Sequence, residues 1–306
     1  RNHIHHCTMG IWCDWEAQGT RLSQNLLHDN QRPPFASVLK GGMMSQDIFV
    51  EVGHGPTLID NNIMLSDASL RFATEGVALV HNLICGALTC VGGGTGPRYT
   101  PYHMPHRTEV MGFMTVLHGD DRFYNNIFVQ KWPSDDIITM HDSDDGFDTE
   151  NRAAGTWMFD EYPTYDEWIS QFDFTKPADM MKLSGAHDGH LPVWIEGNAY
   201  LGGAKPCKKE VNGLTAAPKR EDVRVELVQK EDGYYLDTNV YELIEGFKNR
   251  MIDSDVLGKA FEPEERFENP DGTAIRFDSD YFGTHRGVDV IPGPFADAKE
   301  SVKKLY

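Results

Sequence analysis

An Asn followed by an apolar residue, set in short β-rich runs, recurs through the first 130 residues of this chain. It appears at Asn2-His3-Ile4, Asn25-Leu26, Asn62-Ile63, Asn82-Leu83 and Asn126-Ile127, at spacings of 23, 37, 20 and 44 residues. The 37 is a 23 carrying a 14-residue insertion, Gln31 to Met44, and the 44 contains the loop Gly92-Gly93-Gly94-Thr95-Gly96-Pro97. A turn of about 20 residues cannot bury its own apolar face, whereas a stack of such turns can. The repeat therefore predicts an all-β chain wound as a parallel β-helix with long loops. Asn suits its corners, because it tolerates left-handed backbone and its side chain can stack as a ladder. The competing arrangement is a β-sandwich with accidental Asn spacing.

The repeat divides the chain. Residues 1–130 read as helix rungs, and 131–222 as loop-rich decoration with further rungs. Residues 223–306 read as a C-terminal β-rich portion packed on the helix, with no evident linker. Val223 to Thr238 has the alternation and turn of a hairpin, and Phe267 to Asp278 suggests another.

Charge and cysteine content narrow the function. The 306 residues carry a formal net charge of −19, which repels nucleic acid and anionic membrane and favours a neutral substrate. No apolar run is long enough for a membrane helix. The five cysteines (Cys7, Cys13, Cys85, Cys90 and Cys207) have no framework spacing and leave one without a partner, which favours a reducing, cytoplasmic setting. Arg1-Asn2-His3 reads as the middle of a rung, so an earlier segment or a partner chain is expected.

Two carboxylates share one offset from the repeat: Asp14 lies eleven residues before Asn25, and Glu51 eleven before Asn62. Stacked rungs would make them neighbours on adjacent strands roughly 5 Å apart, about the carboxyl separation of a retaining glycosidase. Such an enzyme needs one ionised nucleophile and one protonated acid, and apolar surroundings favour the latter. Trp12 and Trp15 flank Asp14; Phe49, Val50 and Val52 flank Glu51. Arg71, eleven before Asn82, falls in the same file. His54 follows Glu51 closely enough to meet a sugar hydroxyl. The run Arg98-Tyr99-Thr100-Pro101-Tyr102-His103-Met104-Pro105-His106 supplies stacking and hydrogen-bonding groups for a binding wall. The histidine groups lack metal-ligand spacing, so no metal or cofactor is expected. Asp142-Ser143-Asp144-Asp145-Gly146-Phe147-Asp148 lacks the distal Glu of a calcium loop and reads as a solvated acidic loop, with structural calcium the minor alternative.

The segments Gly10 to Arg21 and Phe49-Val50-Glu51-Val52-Gly53-His54-Gly55-Pro56 resemble glycoside hydrolase family 120, as do Arg98 to His103, Phe267 to Gly272 and Pro292 to Phe295. The resemblance implies a right-handed parallel β-helix and a retaining, exo-acting β-xylosidase cutting xylo-oligosaccharides by double displacement. It makes Asp14 the nucleophile and Glu51 the general acid/base. Trp15, Gln18, His54, Arg71, Arg98, Tyr99, His103 and His106 are the candidate substrate contacts. Family members are much longer, so the resemblance implies that this chain is a C-terminal half, completed by an N-terminal half or a partner chain; a homo-oligomer is the further expectation. The rivals are another β-helix carbohydrate enzyme, a lyase or inverting glycosidase, and a non-catalytic glycan-binding subunit.

Overall fold

The computed structural model describes residues 1–31, 45–90, 99–132, 154–173, 175–176 and 189–306. The chain coils, and successive turns lay one strand on each of three parallel sheets, A, B and C. The first turn holds β1 (His3–His5), β2 (Met9–Cys13) and β3 (Thr20–Ser23); the second holds β4 (Leu26–His28), β5 (Gln46–Glu51) and β6 (Thr57–Asp60). The third holds β7 (Ile63–Met64), β8 (Ala68–Ala73) and β9 (Val77–Val80), and the fourth opens with β10 (Leu83–Ile84) and β11 (Ala87–Cys90). There an antiparallel hairpin, β12 (Tyr99–His103) with β13 (Val110–Thr115), leaves the stack. The coil resumes through β14 (Asp121–Tyr124), β15 (Ile127–Val129), β16 (Val193–Glu196), β17 (Ala199–Leu201) and β18 (Leu214–Ala216). Sheet A runs β1-β4-β7-β10-β15-β17-β18, sheet B β2-β5-β8-β11, and sheet C β3-β6-β9-β14-β16.

Each strand sends alternate side chains inward, where residues of equal register stack. Ile48, Leu70 and Leu88 form one such column, and Ile59, Leu79 and Phe123 another. The outer faces of sheets A and C are buried too. Leu26, Ile63, Leu83 and Ile127 of sheet A pack against Leu236, Tyr241, Tyr281 and Phe295, and Leu58, Ala78 and Val80 of sheet C pack against Phe267, Ile275 and Phe277. Strands buried on both faces read as continuous apolar runs, as these do. The C-terminal portion begins with the hairpin β19 (Val225–Lys230) and β20 (Gly233–Thr238), to which β21 (Val302–Lys304) adds a third strand. Among the described residues three short α-helices accompany the sheets: α1 (Tyr165–Ile169), α2 (Val240–Leu243) and α3 (Ser254–Leu257). The hairpin expected at 267–278 is reduced to one antiparallel bridge, Glu268 to Ala274.

The Asn repeat forms a continuous ladder. The side-chain oxygen of Asn25 accepts from the backbone and side-chain amides of Asn2, each at 2.9 Å. The same two-donor pattern links Asn25 to Asn62, Asn62 to Asn82, Asn82 to Asn126 and Asn126 to Asn198. Glu210 ends the ladder, accepting from both amides of Asn198. Burial raises the Glu210 carboxyl above its usual range, against the pull of its bonds from Tyr200 and Asn198. The left-handed residue is the one before each ladder Asn: Gln24, Asn61, His81, Asn125 and Gly197 all have positive φ. The corner bend and the ladder are thus separate duties of adjacent residues. Among the described residues no helix is long and apolar enough to cross a membrane.

Candidate active site on sheet B

Strands β2 and β5 pair in parallel with Ile11 opposite Ile48, Trp12 opposite Phe49 and Cys13 opposite Val50. The pairing ends there: Asp14 is the residue after β2 and Glu51 is the last residue of β5. The equal offsets have a simple cause. The corners that follow, residues 15–19 and 52–56, have the same length before Thr20 and Thr57 pair.

The two carboxylates differ in setting. Asp14 is exposed, and its Oδ1 accepts from the Trp15 amide at 2.9 Å. Glu51 is buried, and its Oε2 accepts from the Trp12 indole N–H at 3.1 Å. The Trp12 ring stacks on Phe49 with centroids 6.0 Å apart. Trp12 and Trp15 are each about half exposed, at 50% and 51%, so two indoles stand at the surface beside the pair. Trp15 (φ 25°) and Glu16 (φ 60°) make the left-handed bend that turns the chain away after Asp14. One buried and one exposed carboxyl group is the contrast of settings found between an acid and a nucleophile.

Arg71 does not share their file. It pairs with Phe49, its guanidinium carbon 5.7 Å from that ring centroid, while Ala73 lies opposite Glu51. The corner at residues 74–76 is two residues shorter than that at 52–56, so counting back from Asn82 overshoots by two. An even shift preserves the face, so Arg71 remains on the outer side of sheet B, buried behind Phe49 and Trp12.

His54 is likewise not open to a ligand. It is 2% exposed, its Nδ1 meets Glu75 Oε1 at 2.7 Å, and its Nε2 meets the Thr100 carbonyl at 3.3 Å. Burial lowers the His54 pKa, but the Glu75 bond and charge, with Glu262 beyond, outweigh it and the net shift is upward. Glu75 also accepts from the Leu117 amide at 2.7 Å, so the pair ties the foot of the β12–β13 hairpin to the corner after Glu51.

Gln18 braces the same hairpin. Its side chain donates to the His103 carbonyl at 3.0 Å and to Glu265 at 2.5 Å, and accepts from the His103 amide at 2.8 Å. His103 Nε2 meets Glu16 at 3.2 Å, while His106 Nε2 meets Glu268 at 2.5 Å. Tyr99 pairs with Thr115 at the hairpin base. The bend 15–18, the hairpin and the C-terminal segment therefore meet. A cavity of about 210 Å³ has Gly19, Thr20, His106, Glu265 and Glu268 in its wall, and neither Asp14 nor Glu51 lines it. Arg98, all of the Gln31 to Met44 insertion after Gln31, the glycine loop and the acidic run at 142–148 lie outside the described residues. Among the described residues no cluster of three or more His, Cys, Asp or Glu side chains is arranged to hold a metal ion.

Sequence reasoning missed Glu75, Glu265 and Glu268, which anchor the histidines and Gln18. Each partner is 21 to 247 residues away in the chain, and no local pattern announces such a pairing. Asn198 was also missed as a ladder member, although Gly197-Asn198-Ala199 carries the same Asn-apolar signature.

No family model and no curated protein sequence matches the chain. A solved structure of XylC in complex with xylose aligns with 100% of the chain, at 32% sequence identity and a TM-score of 0.80. The chain spans 42% of the length of that protein's chain. Over its whole length, then, this chain is similar in fold and sequence to a protein solved with a pentose bound.

Proposed function

We propose that the chain carries the catalytic carboxylates of a retaining, exo-acting β-xylosidase of glycoside hydrolase family 120, acting on short xylo-oligosaccharides. The observation that carries this reading is the parallel register of β2 and β5, which pairs Cys13 with Val50, the residues immediately before Asp14 and Glu51. The likeness to a xylose-bound structure at 32% identity supports the sugar class.

In this reading Glu51, shielded and oriented by the Trp12 N–H, gives its proton to the glycosidic oxygen as Asp14 attacks the anomeric carbon. The alcohol leaves and a xylosyl ester forms on Asp14. Glu51, now a carboxylate, takes a proton from water, whose oxygen attacks the same carbon and releases Asp14. Two inversions give retention. Trp12 and Trp15 offer faces to the apolar side of the sugar ring. The right-handed winding of the coil and the assignment to the C-terminal half of a longer enzyme belong to the same proposal.

The test is hydrolysis of an aryl β-xyloside, with the anomeric form of the first sugar followed by NMR. β-Xylose as first product, with both Asp14→Ala and Glu51→Ala losing activity, is expected. Azide should restore turnover of an activated aryl xyloside to Glu51→Ala with a β-xylosyl azide as product, because the small anion replaces the base-activated water. An α-configured first sugar, or full activity in both variants, refutes the assignment.

A further inference from the structure

A second cavity, of about 320 Å³, lies against the outer face of sheet C and is lined by Tyr165, Trp194, Phe261 and Lys259 over Asp120 and Arg122. Trp194 sits on β16, four strand spacings from β3, so it lies about 19 Å along the stack from the turn that bears Asp14. The cavity is thus separate from the carboxylate pair.

Its walls are rigidly held. The Arg122 guanidinium carbon lies 4.7 Å from the Trp194 ring centroid. Arg122 Nε donates to the Leu257 carbonyl at 2.8 Å, Nη2 to the Lys259 carbonyl at 2.6 Å, and Nη1 meets Asp120 Oδ1 at 2.8 Å. Asp120 Oδ2 accepts from the Phe261 amide at 2.8 Å, and the Phe261 ring stands edge-on to Trp168 at 5.1 Å. The buried ion pair therefore spends its bonds on fixing the segment that carries Phe261, rather than on a ligand. What remains for a ligand is aromatic surface, with Tyr165 53% and Phe261 37% exposed, and Lys259 in the wall.

Three aromatic side chains converging on a small-ligand-sized cavity, with Lys259 beside them, suit a ring that has one apolar face and a fringe of hydroxyls. The net charge of −19 disfavours an anion. We propose that this cavity is a second, non-catalytic site for a neutral xylo-oligosaccharide, resting for the sugar's identity on the function proposed above. It would hold a substrate chain on the protein while its end is processed elsewhere.

Xylohexaose titrated into the full chain by calorimetry and tryptophan fluorescence tests this. The parent is expected to show two binding events, of which Tyr165→Ala and Phe261→Ala weaken one by at least ~5-fold while aryl β-xyloside hydrolysis stays within about twofold. Tyr165 opens α1 and is exposed, and Ala is the best helix former, so that variant keeps its fold even where Phe261→Ala does not. Trp194→Phe should retain most of the affinity and lose the fluorescence response of that site. Unchanged affinity in Tyr165→Ala, a single binding event that Trp15→Ala abolishes, or no binding by the parent would each overturn the proposal. Binding without aryl xyloside hydrolysis would uphold this site and sink the catalytic assignment instead.

Discussion

Removing the Asn82 side chain tests the ladder at its centre. Asn82 Oδ1 accepts from the Asn62 amide at 2.9 Å and side chain at 3.0 Å, and its Nδ2 donates to the Ile59 carbonyl at 2.8 Å and Asn126 Oδ1 at 2.9 Å. In Asn82→Ala the Asn62 side chain keeps its bond to the Leu22 carbonyl, and Asn126 keeps the residue 82 backbone donor. The Asn62 N–H loses its acceptor in a fully buried place, and the Ile59 carbonyl loses a donor. A buried unsatisfied group costs about 1–3 kcal/mol, so the two together cost about 2–6 kcal/mol. Asn2→Ala is the control: it gives up one half-buried bond to Asn25, since the backbone donor remains, and should cost about 0.5–1.5 kcal/mol. Urea titrations followed by circular dichroism would read both as midpoint shifts at unchanged slope. Asn82→Asp keeps the acceptor but aims a buried anion at two oxygens. It should be at least as damaging as alanine at neutral pH and partly recover in acid, where protonation restores a donor. Equal costs for Asn82→Ala and Asn2→Ala would refute the idea that the ladder stabilises through buried, satisfied amides.

Other outcomes follow from the site. Trp12→Phe keeps the stack on Phe49 and removes the N–H that orients Glu51, so kcat/KM for an aryl xyloside should fall by about 3- to 10-fold. An unchanged kcat/KM would dismiss Trp12 as an orienting group. The raised His54 pKa means that its ion pair stabilises the fold fully below about 6.5 and weakens as pH rises through the raised value. Hydrogen exchange at the Leu117 amide, which Glu75 binds, should therefore speed up between neutral and alkaline pH by more than its intrinsic base dependence, and His54→Gln should show no such excess. Asp47, wholly buried, is pushed up to about 7 by burial against its bonds from Ser66 and Asn30. Its folded form holds a proton that the unfolded chain releases near pH 4, so stability falls as pH rises from about 4 to 7, and Asp47→Asn should flatten that part of the stability profile.

The offset of eleven was legible because residues 15–19 and 52–56 are corners of one length; the same count failed at Arg71 because the corner at 74–76 is shorter. Corner length is set by what packs beneath it. Gly55 and Gly76 show this: a Cβ on Gly55 would stand 2.3 Å from the Gly76 carbonyl oxygen, a contact between turns that only glycine permits. His54 read as a ligand from its neighbourhood in the chain, and the fold gave both of its nitrogens to Glu75 and Thr100.

Two things were therefore decided at different levels. By itself the sequence determined the repeating coil, the Asn that stitches its turns and the register of β2 on β5 that leads up to Asp14 and Glu51. These rest on backbone periodicity, and parallel strands of equal register put like residues beside like. Tertiary structure alone decided which groups around the pair are free and which are spent, because the partners of Gln18, His54, His103 and His106 arrive from other turns, the hairpin and the C-terminal segment. Unlike the Asn ladder, these side-chain hydrogen bonds carry no sequence period, so only the folded chain shows where they close.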